Sequence, residues 1–365
     1  MRNLIPFSSL NCRMSASRRK FVQQLAAVPA SLWFFAGANA PGWSRNDQFA
    51  KHVKPARLQE GDTVGLISPS GAIYESEPYE VAIEILEALG LEVKLGKHLF
   101  DRYGHLAGKD EDRAEEINQM FRDDAVKAIV CLRGGSGAAR ILDKLDYKAI
   151  AAHPKIFIGY SDITAFLLAI YAKTGLITFH GPVATSEWNT FSSEYFKKIL
   201  FEGGPVLLEN PPKGEDELVQ VENRTRTIAS GQALGVLAGG NLSVLAGLVG
   251  SGYLPDWKNK ILFLEEVGEK IYAVDRMMSQ LKLAGVFDEL SGFVMGRCTR
   301  CHPGDGYGSL TLEEVIDHYI KPLGIPAYSG AMIGHIGKKF TVPIGLKAQI
   351  DADKGTIKLL EGAVI

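Results

Sequence analysis

The chain contains Lys155-Ile156-Phe157-Ile158-Gly159-Tyr160-Ser161-Asp162-Ile163-Thr164 at the point where a short apolar run meets the apolar helical pattern of residues 165–172. This order predicts a strand, a tight turn and a helix. Such a turn exposes the Ser161 hydroxyl at the carboxyl end of the strand, beside the free N–H groups of a helix start. Ser161 is therefore a candidate nucleophile, although a serine before an apolar helix is also a common N-cap.

Apolar runs alternate with amphipathic helical patterns on both sides of this segment, between residues 62 and 182. Strands separated by helical stretches of about 10 to 15 residues imply parallel pairing through crossovers. We therefore predict an α/β fold whose N-terminal domain, residues 57–185, is a doubly wound, flavodoxin-like parallel sheet. The predicted strands cover residues 63–67, 91–95, 128–132, 155–159 and 176–179, and the predicted helices cover residues 79–89, 111–122, 138–145 and 162–173.

Small or polar turns follow four of the predicted strands, at residues 68–71, 133–137, 160–162 and 180–182. The carboxyl ends of parallel strands meet at one edge of a sheet, and ligands of doubly wound sheets bind there. We therefore expect the four turns to face a single crevice.

The C-terminal half has a different pattern. Residues 186–230 are polar and less regular, which predicts a linker region. Residues 231–365 combine glycine-rich turns with a strand at 260–265, a helix at 272–283 and a strand at 292–296. This mixture predicts a C-terminal α+β, barrel-like domain.

The N-terminal 40 residues hold five basic residues and no acidic one. Ser17-Arg18-Arg19-Lys20-Phe21, the apolar stretch 25–36 and the small residues ending at Ala40 predict a twin-arginine signal peptide. Met14 is an alternative start, and a basic cytosolic tail is the alternative interpretation. We expect cleavage near Ala40, an N-terminal extension over residues 41–56, and a periplasmic or exported protein without stable membrane insertion.

Loss of that leader would change the formal net charge from −2 to −7, which makes nucleic acid an unsuitable partner. We also expect a homodimer. The processed chain would keep Cys131, Cys298 and Cys301 in an oxidising compartment, where the last two can form a disulfide. Cys298-Thr299-Arg300-Cys301-His302 also matches the spacing of a c-type haem attachment site, and a metal site or two free thiols are further alternatives.

A serine nucleophile needs a base near neutral pH, and histidine is the usual one. His180 ends the fifth predicted strand near Ser161, and His302 belongs to the cysteine segment. His335 is flanked by Gly334 and lies two residues before another glycine, which leaves its ring accessible. Spacing alone favours His335 only slightly over His180.

A carboxylate would be needed to orient the imidazole. Glu265 and Glu266 end an apolar strand, and side chains alternate between the two faces of a strand, so the two carboxylates point in opposite directions. Either could equally be a surface residue.

A set of motifs in fixed order extends these candidates. The motifs are Gly61-Asp62-Thr63-Val64-Gly65-Leu66-Ile67-Ser68-Pro69-Ser70, Arg133-Gly134-Gly135, Ile158-Gly159-Tyr160-Ser161-Asp162-Ile163-Thr164, Thr178-Phe179-His180-Gly181-Pro182, Gly239-Gly240-Asn241-Leu242, Leu262-Phe263-Leu264-Glu265-Glu266-Val267-Gly268-Glu269 and Gly334-His335. In this order they resemble the LD-carboxypeptidase family, the muramoyltetrapeptide carboxypeptidases, from about Arg57 to the C-terminus. The resemblance implies a serine peptidase with a Ser-His-Glu triad formed by Ser161, His335 and Glu265, and no metal or other cofactor.

The reaction implied by the resemblance is hydrolysis of the bond between an L-diamino acid and the terminal D-alanine of a peptidoglycan tetrapeptide, through an acyl-enzyme. The backbone N–H groups of Asp162, Gly134 and Gly135 are candidates for the oxyanion hole. Arg133 and Asn241 are candidate substrate contacts. The alternatives are an immunity peptidase that cleaves peptide-nucleotide antibiotics of the microcin C type, and a catalytically silent muropeptide-binding protein.

Overall fold

The computed structural model describes residues 52–214, 216–304 and 308–365. The predicted signal peptide, the alternative start at Met14 and most of the predicted extension lie outside the described residues. Within the described ranges, every helix is too short or too polar to span a lipid bilayer.

The described residues form two β-sheets surrounded by helices. The strands are β1 (Thr63–Ile67), β2 (Glu92–Leu95), β3 (Val126–Cys131), β4 (Ile156–Gly159), β5 (Thr178–His180), β6 (Leu207–Leu208), β7 (Arg226–Ala229), β8 (Gln232–Asn241), β9 (Lys260–Val267), β10 (Gly292–Thr299), β11 (Ala327–Ser329), β12 (Val342–Ile344), β13 (Lys347–Asp351) and β14 (Thr356–Leu359). The α-helices are α1 (Glu77–Ala88), α2 (Asp110–Arg122), α3 (Tyr147–Ala152), α4 (Thr164–Thr174), α5 (Thr190–Lys197), α6 (Leu242–Gly247), α7 (Ile271–Leu283) and α8 (Leu312–Ile320). Short 3₁₀ helices cover Ala138–Lys144, Ser161–Ile163 and Lys321–Leu323, and a π-helical turn covers Lys198–Glu202.

The first sheet has the strand order β12-β5-β4-β3-β1-β2. Strands β1 to β5 are parallel, in the order 2-1-3-4-5 that is typical of flavodoxin-like sheets. The central strands β3 and β4 are almost entirely buried, which explains why they are continuous apolar runs rather than alternating patterns. The prediction of a doubly wound α/β domain is confirmed.

The antiparallel edge strand β12 comes from a part of the chain that the sequence assigned to the C-terminal domain. It pairs with β5, with Val342 opposite His180. Pro343 lacks a backbone N–H, which an edge strand tolerates. The chain therefore returns to the first sheet after building most of the second.

The second sheet has the order β6-β14-β13-β8-β9-β10-β11-β7. Strands β8 to β11 are parallel, and the strands on both flanks are antiparallel, so the sheet is mixed, as expected for an α+β domain. Part of the predicted linker region forms regular secondary structure, because α5, β6 and β7 lie within residues 186–230. The short strands β6 and β7 sit at the two edges of this sheet, where a polar sequence gives little periodic signal.

Helix α4 connects the two sheets. It contacts β5 of the first sheet and β8 of the second, and nine of its 11 residues are buried. A helix buried on all sides is apolar around its whole circumference, which matches the uniformly apolar pattern after Ser161. The start of α4 thus lies between the sheets, beside the carboxyl ends of β8 and β9.

Candidate active site

Ser161 lies in a strained turn between β4 and α4. Its φ of 65° is in the left-handed region, which is uncommon for a residue with a side chain and typically costs energy. Among the described residues, the backbone N–H groups of Ile163 and Thr164 at the start of the helix donate to backbone carbonyls of Tyr160, Ser161 and Asp162 rather than to the Ser161 hydroxyl. Oγ of Ser161 lies 2.9 Å from Nε2 of His335 instead. The geometry therefore agrees with the nucleophile interpretation and not with the helix-cap interpretation.

His335 links Ser161 to Glu265. Its Nδ1 is 2.7 Å from Oε2 of Glu265. An ionised carboxylate only accepts hydrogen bonds, so Nδ1 carries the proton and Nε2 is free to accept the hydrogen of the Ser161 hydroxyl. Gly334 has a φ of 130°, and a Cβ placed there would lie 3.1 Å from Oε2 of Glu265. Glycine at this position therefore lets the loop with His335 approach the carboxylate.

Glu265 is 0% exposed at the carboxyl end of β9. Burial by itself would raise the pKa of this carboxyl, but the imidazoles of His180 and His335 outweigh burial and lower the pKa to about 2. Glu265 is thus ionised at neutral pH, with its negative charge directed at His335.

His180, the alternative base in the sequence analysis, occupies a different position. Its Nε2 lies 3.8 Å from Oε1 of Glu265, whereas His335 contacts the other carboxylate oxygen, Oε2. Among the described residues, the imidazole within hydrogen-bond distance of the Ser161 hydroxyl is that of His335. His302, the third candidate, is exposed beside the cysteine segment.

Glu266 points to the other face of β9, as strand alternation predicted. It is 1% exposed and accepts hydrogen bonds from the backbone N–H groups of Ser243 (2.7 Å) and Val267 (2.8 Å). Burial raises its pKa, and these hydrogen bonds partly offset the rise. Both strand-end carboxylates are therefore buried, and only Glu265 faces His335.

Of the candidate oxyanion residues, Asp162 follows Ser161 in the chain and Gly134 lies against it, whereas the neighbours of Gly135 are Gly71 and Ser70. A Cβ on Gly134 would lie 2.8 Å from Cβ of Ser161, so glycine is required for this close approach. In the described part of the chain, the backbone N–H groups of Gly134, Gly135 and Asp162 donate no hydrogen bond. The Asp162 carboxylate accepts hydrogen bonds from Ser70 Oγ (2.5 Å) and from the backbone N–H of Ala138 (2.8 Å). The Asp162 side chain therefore stabilises the turn.

The two candidate substrate contacts differ in accessibility. Arg133 is partly exposed and donates a hydrogen bond to the carbonyl of Ala72 (3.1 Å). Asn241 is 3% exposed, caps α6 through Val244 N–H, and donates to Glu266 Oε1 (3.3 Å). The observed contacts of Asn241 are structural, and a contact of either residue with substrate stays a prediction.

Sequence reasoning missed two side chains next to this site. The Tyr160 ring packs edge-on against His335, with 4.8 Å between ring centroids. Lys339 is 4% exposed, and its Nζ lies 4.9 Å from the centre of the Tyr160 ring. Burial lowers the pKa of Lys339 to about 8, although the negative charges of Glu187 and Glu265 act to raise it. The position of Tyr160 directly before Ser161 was the only signal in the sequence.

Two groups of residues bear on metal or cofactor binding. Cys298 and Cys301 form a disulfide, which leaves neither sulfur for a haem thioether or a metal. His98, Asp101 and Asp112 place three potential ligand atoms within 4.8 Å of one another in the described structure. They lie on partly exposed surface, where such acidic groups are common without a metal.

Comparison with known families provides the identification. The LD-carboxypeptidase N-terminal domain matches residues 64–181, and the LD-carboxypeptidase C-terminal domain matches residues 234–350. The chain belongs to the LD-carboxypeptidase family. The two matches include Ser161, Glu265 and His335, and they confirm the resemblance found in the sequence. Family membership makes the protein a peptide hydrolase.

Individual LD-carboxypeptidase relatives match over most of their length. A probable murein peptide carboxypeptidase of Bacillus subtilis (strain 168) is 38% identical over 314 residues, which are 86% of this chain and 96% of that protein. The microcin C7 self-immunity protein MccF of Escherichia coli is 33% identical over 330 residues, which are 84% of this chain and 95% of that protein.

Solved structures agree with the fold. MccF in complex with glutamyl sulfamoyl guanosine has a TM-score of 0.78 at 31% identity, covering 86% of this chain and 99% of that chain. A muramoyltetrapeptide carboxypeptidase from Oxalobacter formigenes has a TM-score of 0.70 at 27% identity, covering 82% of this chain and 98% of that chain. The two-domain α/β architecture is therefore that of the LD-carboxypeptidase family.

Proposed function

We propose that the protein is a serine carboxypeptidase that hydrolyses the bond between the L-diamino acid and the terminal D-alanine of peptidoglycan tetrapeptides. The observation that carries this proposal is the continuous hydrogen-bond chain from Ser161 through His335 to the buried Glu265. The probable murein peptide carboxypeptidase of B. subtilis and the muramoyltetrapeptide carboxypeptidase of O. formigenes support the substrate class.

In the proposed mechanism, Ser161 Oγ attacks the carbonyl carbon while Nε2 of His335 accepts the hydroxyl proton. Glu265 holds the imidazole and stabilises the imidazolium that forms. The backbone N–H groups of Gly134, Gly135 and Asp162 would donate to the oxyanion of the tetrahedral intermediate. His335 then protonates the departing D-alanine amine, which leaves an ester between the tripeptide and Ser161. Water, deprotonated by His335, hydrolyses this ester and releases the tripeptide.

A second candidate function is cleavage of a peptide-nucleotide antibiotic of the microcin C type. The likeness to MccF favours it, because that protein matches this chain at 33% identity and its solved complex contains glutamyl sulfamoyl guanosine. The same Ser161–His335–Glu265 chain could serve either substrate, so the two functions differ only in what occupies the crevice.

A substrate panel tests these proposals. The processed protein, beginning after Ala40, is incubated separately with a defined tetrapeptide, the corresponding pentapeptide and an aminoacyl sulfamoyl nucleotide, and the products are weighed by mass spectrometry. We expect tripeptide and free D-alanine from the tetrapeptide and no cleavage of the pentapeptide. Cleavage of the nucleotide alone would favour the immunity function. Tight tetrapeptide binding without any product would indicate the silent binding protein and contradict both enzyme proposals.

We also propose export through the twin-arginine pathway, which rests on Arg18-Arg19 and the apolar stretch behind them. Replacing both arginines by lysine should leave the full-length precursor in the cytoplasm, because the paired arginines are the recognition signal. Cell fractionation and immunoblotting measure this. A processed, exported product from the Lys-Lys variant would contradict the proposal.

A further inference from the structure

Two buried polar atoms face each other beside the hydrogen-bond chain from Ser161 through His335 to Glu265. His180 Nε2 and Glu265 Oε1 are 3.8 Å apart, and neither has a hydrogen-bond partner among the described residues. His180 is 2% exposed and Glu265 0% exposed, so bulk solvent does not reach either atom. Buried polar atoms almost always have a partner, so an unpartnered pair in mutual contact calls for a functional explanation.

The His180 ring is held in place from several directions. It packs edge-on against Phe263 on β9, with 5.5 Å between ring centroids, and against Tyr160, with 6.1 Å. Its backbone belongs to β5, opposite Gly159 on one side and Val342 on the other. A residue fixed in the first sheet thus presents one ring nitrogen to a carboxylate of the second sheet.

The chemistry of the carboxylate selects the tautomer of His180. Oε2 of Glu265 is occupied by His335, which leaves Oε1 as an acceptor without a donor. If His180 Nε2 carried no proton, two acceptors would face each other at an ionised group. The Nε2–H tautomer instead directs a donor at Oε1. At 3.8 Å this contact is longer than a hydrogen bond, and catalytic hydrogen bonds that are long without substrate commonly tighten in the substrate complex.

We propose that His180 is a positioning residue whose Nε2–H holds Oε1 of Glu265, so that the other carboxylate oxygen keeps His335 aligned with Ser161. The proposal rests on the proposed function of the Ser161–His335–Glu265 chain. Anchored at one oxygen only, the carboxylate can rotate and carry the imidazole away from the serine. A displacement of about 1 Å in such an arrangement can cost about 100-fold in rate.

Three variants of His180 test separately the hydrogen-bond donor, the distance of that donor from the main chain and the volume of the ring. His180→Phe keeps a planar ring but removes the donor. His180→Gln keeps an N–H donor at about the distance of Nε2, whereas His180→Asn has the same amide one methylene shorter. We expect His180→Phe to lower kcat for D-alanine release by about 10- to 100-fold with little change in KM. His180→Gln should recover most of the rate, and His180→Asn should not.

A second readout does not depend on the natural substrate. The rate at which a fluorophosphonate labels Ser161 reports its activation by His335, and it should fall in the order wild type, His180→Gln, His180→Asn. If the wild type is labelled but releases no D-alanine, the substrate proposal fails while the labelling series still tests His180. Thermal unfolding checks that each variant is folded, and the Gln–Asn pair decides the outcome if His180→Phe does not fold. Equal labelling rates for the Gln and Asn variants would overturn the role of His180.

Discussion

Glu265 is expected to be essential through its charge and its acceptor geometry. In Glu265→Gln an amide N–H can face Nδ1 of His335 and favour the wrong tautomer, and the imidazolium loses its counter-charge. We expect kcat to fall by about 10⁴-fold with the protein still folded, as for a triad carboxylate replaced by its amide. Steady-state kinetics of D-alanine release measure this.

The neighbouring Glu266 supplies the matched control, because it is buried on the opposite face of the same strand. Glu266→Gln would turn an amide N–H toward the backbone N–H groups of Ser243 or Val267, so it should lower thermal stability while the folded enzyme keeps its activity. A Glu265→Gln variant that retained kcat within tenfold of wild type would contradict the assigned role.

Lys339 makes stability depend on pH in a defined direction. Burial lowers its pKa to about 8 from 10.5, so between these values the unfolded chain binds more protons than the folded protein. Stability from this group therefore rises as pH increases from 8 to 10.5. At pH 7 the buried charge is destabilising, and Lys339→Met should be more stable than wild type by roughly 1 to 2 kcal/mol.

Urea unfolding of wild type and Lys339→Met at pH 7 and at pH 10 tests this behaviour. The advantage of Lys339→Met should shrink at the higher pH. Lys338→Met is the control, since Lys338 is exposed and adjacent in sequence, and it should not reproduce the gain in stability of Lys339→Met at pH 7. An advantage of Lys339→Met that grew toward pH 10 would exclude a buried, charged ammonium.

At the scale of single elements, the turn between β4 and α4 stores backbone strain at Ser161. Glycine adopts a φ of 65° without the penalty that a Cβ brings. The free energy of unfolding of Ser161→Gly should therefore be about 1 kcal/mol higher than that of Ser161→Ala, although both variants lack the nucleophile. Urea denaturation of the two variants measures the difference. Equal stability would mean that the turn relaxes to another conformation.

Strong periodicity predicted some elements well and others not at all. Strands β1, β3, β4 and β5 of the first sheet and helices α1, α2 and α7 were predicted within a few residues, because they are buried or clearly amphipathic. Strand β2 was also predicted, although most of its residues are exposed. Strands β6, β7 and β12 escaped prediction because they have two to four residues and lie at or beside sheet edges. Their conformation depends on pairing with distant strands, which local sequence does not encode.

The candidate site shows the same division. The strand–turn–helix pattern identified Ser161 as a candidate nucleophile. Strand alternation predicted that the side chains of Glu265 and Glu266 point to opposite faces of the strand. The choice between His180 and His335 depends on contacts across 174 and 70 positions of the chain, so spacing favoured His335 only slightly and the family resemblance was needed to assign it. Tyr160 was marked only by its position directly before Ser161, and Lys339 carried no recognisable signal, since the Tyr160 ring packs on His335 and Lys339 packs on Tyr160 only in the folded chain.

At the scale of the whole molecule, the site depends on both sheets. Ser161 follows β4 of the first sheet, and Glu265 lies on β9 of the second. His335 lies on the loop between β11 of the second sheet and β12 of the first. The hydrogen-bond chain therefore exists only when both sheets are assembled, and the return of the chain to the first sheet through β12 fixes both ends of the loop with His335.

The most direct test of the central claim is the rate of D-alanine release from a defined tetrapeptide by wild type and Ser161→Ala. We expect release by wild type and a loss of at least about 10³-fold in Ser161→Ala. Ser309→Ala, which changes an exposed serine far along the chain, should keep the wild-type rate. Undiminished release by a folded Ser161→Ala protein would contradict the assignment of Ser161 as the nucleophile.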